Sequence, residues 1–343
     1  MQQIETAALA SLARRLEGAE HLVVTSHAHP DGDAVGSTVA LLSYLVSSLH
    51  KDAHVVLPDE PGDNLRFIIP DSLRGRVLTG PDAGKNVISR CDTILCLDCN
   101  GFPRTESLQP LLEAAPARER ILIDHHVGPE SDSFGLVFSE TEISSTCELL
   151  YWILTGITGS AEALPADCAA ALMTGMTTDT NNFANSVFPS TLEMASGLLK
   201  AGVDRDTILG NLYNQGRENR LRLMGHALSD LLRISDRGAA TIILRSEDKE
   251  RFDIREGETE GFVNLPLTVA RVRISLLLKE EDGLFRVSIR ARKGLSARAL
   301  ATGYFHGGGH ELAAGGKVLI PGDISSPDQI DAYVANILEQ FLS

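Results

Sequence analysis

The chain has 343 residues, 43% of them hydrophobic and 22% charged, which is ordinary for a globular protein and long enough for two separate cores. Its net charge of −15 excludes the broad cationic surface that tight binding to long nucleic acid requires, although a short phosphorylated ligand needs only a metal ion or a few local arginines. No apolar run is long enough to span a bilayer, and Met1–Thr6 lack a basic segment leading into an apolar core, so a cytoplasmic protein without signal peptide or membrane contact is expected.

Apolar residues Ile4, Ala8, Leu12 and Leu16 recur at four-residue spacing and predict an amphipathic helix over 4–16. Leu22-Val23-Val24 predicts a buried strand that ends at His27, and 34–49 predicts a helix. The stretch between them, His27-Ala-His-Pro-Asp31-Gly-Asp33, therefore occupies a strand-to-helix turn, where ligands bind in open α/β sheets. Short strands are expected at 53–57 and 76–78, separated by a Pro/Gly/Asp-rich loop over 58–64. Asp92–Asp98 and Ile121–Ile123 read as buried strands, the second running into Asp124-His125-His126. Alternating strands and helices predict βαβ units and a mostly parallel sheet.

From Ser145 to about Phe183 the pattern is helical, with Pro165 in the first turn of a new helix that leads to Asp179. Residues 191–236 read as helical throughout, with breaks at 202–204 and 214–216. The texture then changes. Segments 239–244, 271–278 and 284–291 are β-like, the last two joined by the hairpin signal Asp282-Gly283. A helix over 296–305, a glycine loop and a final helix over 328–342 complete the chain. The expected organisation is a catalytic domain over 1–190, a helical connector over 191–236 that can also serve as a dimer surface, and a smaller α/β domain with a mixed sheet over 237–343.

Five cysteines include the pair Cys96-x-x-Cys99, but Cys91, Cys147 and Cys168 are scattered and supply no second zinc-binding pair. Cys96 lies in a strand rather than at a helix start, so reduced, buried thiols are expected.

Three apolar runs thus deliver His and Asp to what should be one sheet edge: His27 with Asp31 and Asp33, then Asp98, then Asp124, His125 and His126. Asp179 closes a helix. Taken singly, Asp33 reads equally well as a helix N-cap, Asp98 as a strand-end cap and Asp179 as a turn residue. Two consecutive histidines at a strand end are rarely both core residues. Together these four motifs resemble those of the DHH phosphoesterase superfamily, which includes RecJ-type exonucleases, family II pyrophosphatases and small oligoribonuclease/pAp phosphatases. Gly307-Gly308-Gly309-His310, with Ala313-Ala314-Gly315, resembles the signature of the DHH-associated C-terminal domain. The likeness runs from about residue 20 to 320.

The resemblance implies two divalent metal ions, Mn²⁺ by preference, that activate a water for in-line attack on phosphorus. It assigns His27, Asp31 and Asp179 to one ion, Asp33 and His125 to the other, and Asp98 to both. His126 is the implied proton donor or phosphoryl contact, and Asp124 the implied orienting partner of a neighbouring histidine. Backbone N–H groups of Gly307, Gly308 and Gly309, together with His310 and Arg290, are the implied phosphate grip, with Arg292 as the alternative arginine. N–H groups opening the helix at Ala34 would favour a phosphate as well. The site is expected between the domains, with the connector as hinge.

Two positions depart from the family pattern: His306 and Asn181 stand where glycines are usual. The leading functional expectation is hydrolysis of very short RNA to mononucleotides and of the 3′-phosphate of pAp, with no long duplex as substrate. The alternatives are a pApA or cyclic-dinucleotide phosphodiesterase, a pyrophosphatase or exopolyphosphatase, and a non-catalytic nucleotide sensor.

Overall fold

The computed structural model describes residues 4–255 and 257–342. It divides into two compact units, Met1–Gln215 and Gly216–Ser343.

The first unit is built on six parallel strands: β1 (His21–Thr25), β2 (Asp52–Leu57), β3 (Val77–Thr79), β4 (Thr93–Leu97), β5 (Glu119–Asp124) and β6 (Leu136–Ser139). Their order is β3-β2-β1-β4-β5-β6. The chain works outward from β1 in one direction, then jumps to β4 and works outward in the other. The reversal between β1 and β4 opens a crevice at their carboxyl ends. Strands this apolar need cover on both faces. Leu22, Val24, Leu95, Leu97, Ile121 and Ile123 face one core. Val23, Ile94, Cys96 and Leu122, the alternate residues, face the other.

Helices α1 (Thr6–Gly18), α2 (Gly32–Ser47), α3 (Gly80–Ile88), α4 (Gln109–Glu113), α5 (Thr146–Thr158), α6 (Ala166–Asp179), α7 (Pro189–Lys200) and α8 (Arg205–Tyr213) complete the unit. Ile88 of α3 and Leu112 of α4 cover the second face, while α1, α2, α5, α6, α7 and α8 contribute to the first. Helices α2 and α6 approach closely because two glycines meet. A Cβ on Gly36 would lie 2.8 Å from the Ala171 carbonyl oxygen and 3.0 Å from the Gly175 Cα.

The second unit carries a mixed sheet in the order β11-β12-β10-β9-β8-β7. Its strands are β7 (Arg233–Ile234), β8 (Ala239–Leu244), β9 (Ile274–Glu281), β10 (Leu284–Ala291), β11 (Gly308–Gly309) and β12 (Ala313–Leu319). Among the described residues β8 and β9 run parallel, and the other pairings are antiparallel. Its helices are α9 (Glu218–His226), α10 (Ser246–Arg251), α11 (Ala297–Tyr304) and α12 (Ile330–Phe341). Leu300 and Val334, from α11 and α12, cover one face. Leu223 of α9 and Phe262 pack on the other.

The expected α/β class and both sheets are present. Three local readings change. Helical structure after residue 191 ends at Leu231, where β7 begins two residues later. Pro165 is the N-cap of α6 rather than a first-turn residue. The glycine run continues into a full strand, β12, that the loop-like composition conceals. All five cysteines are free and buried. No helix among the described residues is long and apolar enough to cross a membrane.

Candidate metal centre

The four expected motifs converge beyond the carboxyl ends of β1, β4 and β5, at the strand-order reversal. His27 follows β1, Asp98 follows β4, Asp124 closes β5, and Asp179 closes α6. His27, Asp33, Asp98 and Asp124 are buried.

His27 Nε2 lies 3.4 Å from Asp98 Oδ2 and 3.8 Å from Asp31 Oδ1. His125 Nε2 lies 3.5 Å from Asp98 Oδ1, 3.7 Å from Asp179 Oδ2 and 4.0 Å from Asp33 Oδ2. These separations exceed a hydrogen bond. They suit atoms that share an ion placed about 2.1 Å from each. Three groups of potential ligands result: His27, Asp31 and Asp98; Asp33, His125 and Asp179; Asp98, His125 and His126. Asp98 and His125 each belong to two of them. Asp179 lies with Asp33 and His125, whereas the sequence reading grouped it with His27 and Asp31.

The surrounding chain orients each donor. His27 Nδ1 lies 2.8 Å from the Ala28 carbonyl oxygen. An Nδ1–H donated there leaves the Nε2 lone pair facing the carboxylates. Asp31 Oδ1 accepts the N–H groups of Asp33 and Ala34, both at 3.0 Å. Asp31, not Asp33, is therefore the N-cap of α2, and the two N–H groups expected to meet a phosphate are already engaged. Asp33 instead receives the start of α5. Thr146 N–H donates to its Oδ2 at 2.7 Å and Cys147 N–H to its Oδ1 at 2.9 Å. Those are otherwise unpaired donors at the positive end of a helix. Thr146 Oγ1 donates to Asp98 Oδ1 at 3.1 Å.

Asp124 holds His126 twice: its Oδ1 lies 2.8 Å from His126 Nδ1 and its Oδ2 accepts the His126 N–H at 3.1 Å. That hydrogen bond raises the His126 ring above the usual histidine range, against the effect of burial. Burial drives the Asp33 carboxyl well up, and the charges of Asp98, Asp179 and Asp31 add to it. Asp179 is pushed up to about 7 by burial and by Asp98 and Asp31. Burial would raise Asp98 too, but the adjacent His27 ring, with the His125 and His126 imidazoles, holds it below the ordinary carboxylate range. Carboxylates crowded enough to resist ionisation, interleaved with imidazole nitrogens, form a donor set that fits divalent cations of borderline hardness.

Sequence reasoning missed two neighbours. Thr146 sits in a Ser-Ser-Thr stretch that looks like an ordinary helix start, although a side chain capable of reaching Asp98 was a readable signal. Arg104 belongs to a 3-10 turn after β4, where its carbonyl accepts the Ala28 N–H at 2.8 Å. Its positive charge acts on His126, and among the described residues its guanidinium has no ion-pair partner. No periodicity marks a residue of this kind.

The phosphate grip expected in the second unit is partly rearranged. Gly307 donates its N–H to the Ala301 carbonyl at 3.2 Å, so that donor is spent. Its lack of a side chain matters for packing, since a Cβ there would lie 1.9 Å from the Gly315 oxygen. Gly308 alone of the three faces open space. Gly309 has φ 139° and would clash with Ala314 if it bore a Cβ. His310 is exposed, with its N–H donated to Ala313. Arg290 projects from β10 half-buried. Arg292 is committed to the carbonyls of Leu267 and Val269.

Both departures from the family pattern have a backbone explanation. Asn181 and His306 have φ of 47° and 45°, left-handed angles that glycine adopts without strain. His306 Nε2 lies 2.9 Å from Asp323 Oδ1, so its ring is held by that carboxylate.

The N-terminal domain profile of the DHH family matches residues 21–176. The probable bifunctional oligoribonuclease and PAP phosphatase NrnA of Streptococcus mutans is 26% identical over 317 residues, covering 90% of this chain and 93% of that protein. The bifunctional oligoribonuclease and PAP phosphatase NrnA of Thermus thermophilus is 28% identical over 314 residues, 90% of this chain and 86% of the relative. Among solved structures, an exopolyphosphatase-related protein from Bacteroides fragilis superposes with a TM-score of 0.88 at 32% identity, covering 100% of this chain and 98% of that one.

Proposed function

Because the chain belongs to the DHH phosphoesterase family, we propose that it hydrolyses very short RNA oligonucleotides to mononucleotides and removes the 3′-phosphate of pAp. The observation that carries this reading is the convergence of Asp98 with His27 and with His125 at 3.4 and 3.5 Å, in a chain similar over 90% of its length to two bifunctional oligoribonuclease and PAP phosphatases.

In this reading His27, Asp31 and Asp98 hold one divalent cation. Asp33, His125 and Asp179 hold a second, and Asp98 serves both. We take the metal to be Mn²⁺, which accepts mixed imidazole and carboxylate donors. Bound there, such a pair neutralises phosphoryl charge and readies a water for attack on phosphorus. His126, oriented by Asp124 and with its pKa raised by that hydrogen bond, is the residue we assign to give a proton to the departing oxygen. Arg104 supplies a fixed positive charge for phosphoryl oxygens. Arg290, Gly308 and His310 are the substrate contacts we retain in the second unit. Five free, buried thiols agree with a reducing, cytoplasmic setting.

A second reading, hydrolysis of pyrophosphate or polyphosphate, is favoured by the likeness to the exopolyphosphatase-related protein. A third, cleavage of pApA or cyclic dinucleotides, uses the same metal ligands. The test is product release from pAp, pApA, a cyclic dinucleotide, RNA of two to about twenty-five nucleotides, pyrophosphate and polyphosphate, with Mn²⁺ present. Fast turnover of dinucleotides and pAp supports our reading. Equal rates on long strands, or faster release from pyrophosphate, would replace it.

A further inference from the structure

Glu148 lies in the first turn of α5 and is fully buried. Among the described residues no cation pairs with it, so an ion pair does not account for its place. A buried carboxyl must then find its donors inside the protein. Its Oε2 accepts the Ser144 N–H at 3.1 Å, the Ser144 hydroxyl and the Thr191 hydroxyl at 2.7 Å. Its Oε1 accepts the Trp152 Nε1–H at 3.4 Å. Ser145, the N-cap of α5, accepts the Glu148 N–H at 3.1 Å. A glutamate three residues past a serine N-cap commonly reaches back to the N-cap N–H. Here the carboxylate goes one residue further, to Ser144, and so fixes the whole turn that opens the helix.

That turn presents the donors that meet the metal centre. The next two N–H groups, of Thr146 and Cys147, both go to Asp33, and the Thr146 hydroxyl goes to Asp98. Glu148 forms no hydrogen bond with either carboxylate. Thr191 carries the network on to α7: its Oγ1 accepts the Phe188 N–H at 3.0 Å while donating to Glu148. The segment between Asp179 and Phe188 holds four non-glycine residues at left-handed angles, Asn181, Asn182, Phe183 and Ser186, with φ of 47°, 55°, 67° and 51°. Such angles persist where the surrounding structure fixes them. One end of this segment is Asp179 itself, and the other is held through Thr191 by Glu148. A single carboxylate thus braces the helix start that reaches Asp33 and Asp98 and the segment that leaves Asp179.

We propose that Glu148 is a positioning residue for the cation assigned above to Asp33, His125 and Asp179. It fixes the turn over 144–146 and the start of α7, and through them the three carboxylates Asp33, Asp98 and Asp179. The proposal rests on the two-cation reading of the site.

The test is titration of Mn²⁺ onto the full-length, metal-free protein without substrate, with the free ion counted by its EPR signal and each variant's thermal unfolding followed in EDTA. Glu148→Ala should weaken binding of one ion about tenfold or more, the scale expected when support behind a metal ligand is removed. Thr191→Val should weaken the same ion by less. Glu148→Gln keeps an oxygen for Ser144 and Thr191 and should stay close to wild type. Combined with Thr146→Val, the loss from Glu148→Ala should fall short of the sum of the two, because both act on Asp98. Leu154→Ala, which truncates a fully buried side chain further along α5, should lower the melting temperature and leave Mn²⁺ binding unchanged. The proposal is overturned if Glu148→Ala binds Mn²⁺ as wild type does, if Glu148→Gln is as damaging as Glu148→Ala, or if Leu154→Ala weakens binding as much at an equal drop in melting temperature. Should Glu148→Ala fail to fold, Thr191→Val set against Leu154→Ala decides the same question. A wild type that binds no Mn²⁺ would remove the two-cation reading and this proposal with it. Two bound ions indifferent to both Glu148→Ala and Thr191→Val would remove the proposal and keep that reading.

Discussion

Replacing Thr146 by valine removes one hydroxyl of a fully buried side chain and keeps its shape. The lost contact is the 3.1 Å hydrogen bond to Asp98 Oδ1; the Thr146 backbone N–H still reaches Asp33. A hydrogen bond to an ionised group contributes about 1.5–3 kcal/mol, which corresponds to a roughly 10- to 100-fold loss of metal affinity, the usual effect of removing a partner behind a metal ligand. Mn²⁺ titration of activity and of thermal stability should show this shift in the midpoint, with activity regained at high Mn²⁺. Thr146→Ser keeps the hydroxyl and should stay close to wild type. If the valine variant binds Mn²⁺ as tightly as wild type, or if serine is as damaging as valine, the hydroxyl does not orient Asp98 and the reasoning fails.

Gly175→Ala would place a Cβ 2.3 Å from Cys147 Sγ and 3.1 Å from Asp33 Oδ1, so urea unfolding should show a loss of about 1–3 kcal/mol. Gly210→Ala, in α8 with open space around it, should be neutral or stabilising by up to about 1 kcal/mol. Arg104→Ala should raise KM at least about tenfold with a melting temperature near wild type, as expected when a charge-assisted phosphate contact is lost; an unchanged KM would remove Arg104 from the site. For Asp179, burial and the charges of Asp98 and Asp31 lift the carboxyl from 3.8 to about 7. A raised carboxyl stabilises the fold at low pH, and that contribution is lost as pH rises through about 7. EDTA-treated protein should therefore melt lower at pH 8 than at pH 5.5, and Asp179→Asn should flatten the difference. Mn²⁺ should protect most at pH 8; an Asn variant with the wild-type profile would contradict the assignment.

Most of the first unit is legible in the chain because β1, β4 and β5 are short apolar runs whose ends carry His or Asp, and parallel βαβ order makes those ends neighbours. Less was legible where structure depends on distant partners. β6, Leu136–Ser139, is a four-residue edge strand too short to set up a period, and β12 carries two glycines that read as loop. The exchange of roles between Asp31 and Asp33 is invisible to spacing, since either can cap α2. What decides it is α5, which arrives more than a hundred residues later and takes Asp33 for its own first turn. Asp179 likewise joins Asp33 and His125 because the close contact of α2 and α6 fixes where α6 ends. Gly307 reads as an anion donor from its neighbours in sequence, and only the fold shows that its N–H is spent on Ala301 of α11 and that its missing side chain makes room for Gly315 of β12.

The two helix-opening amides on Asp33 bear on how this protein can be interrogated. Asparagine is the customary neutral stand-in for aspartate, because the shapes match. At position 33 each oxygen is claimed by a backbone N–H, so an amide must turn its NH₂ toward one of them whichever way it flips. Inactivity of such a variant would reflect a broken seam between two helices as much as a missing negative charge. Among the described residues no main-chain N–H donates to the Asp179 side chain, so the same swap there leaves the seam between the helices intact.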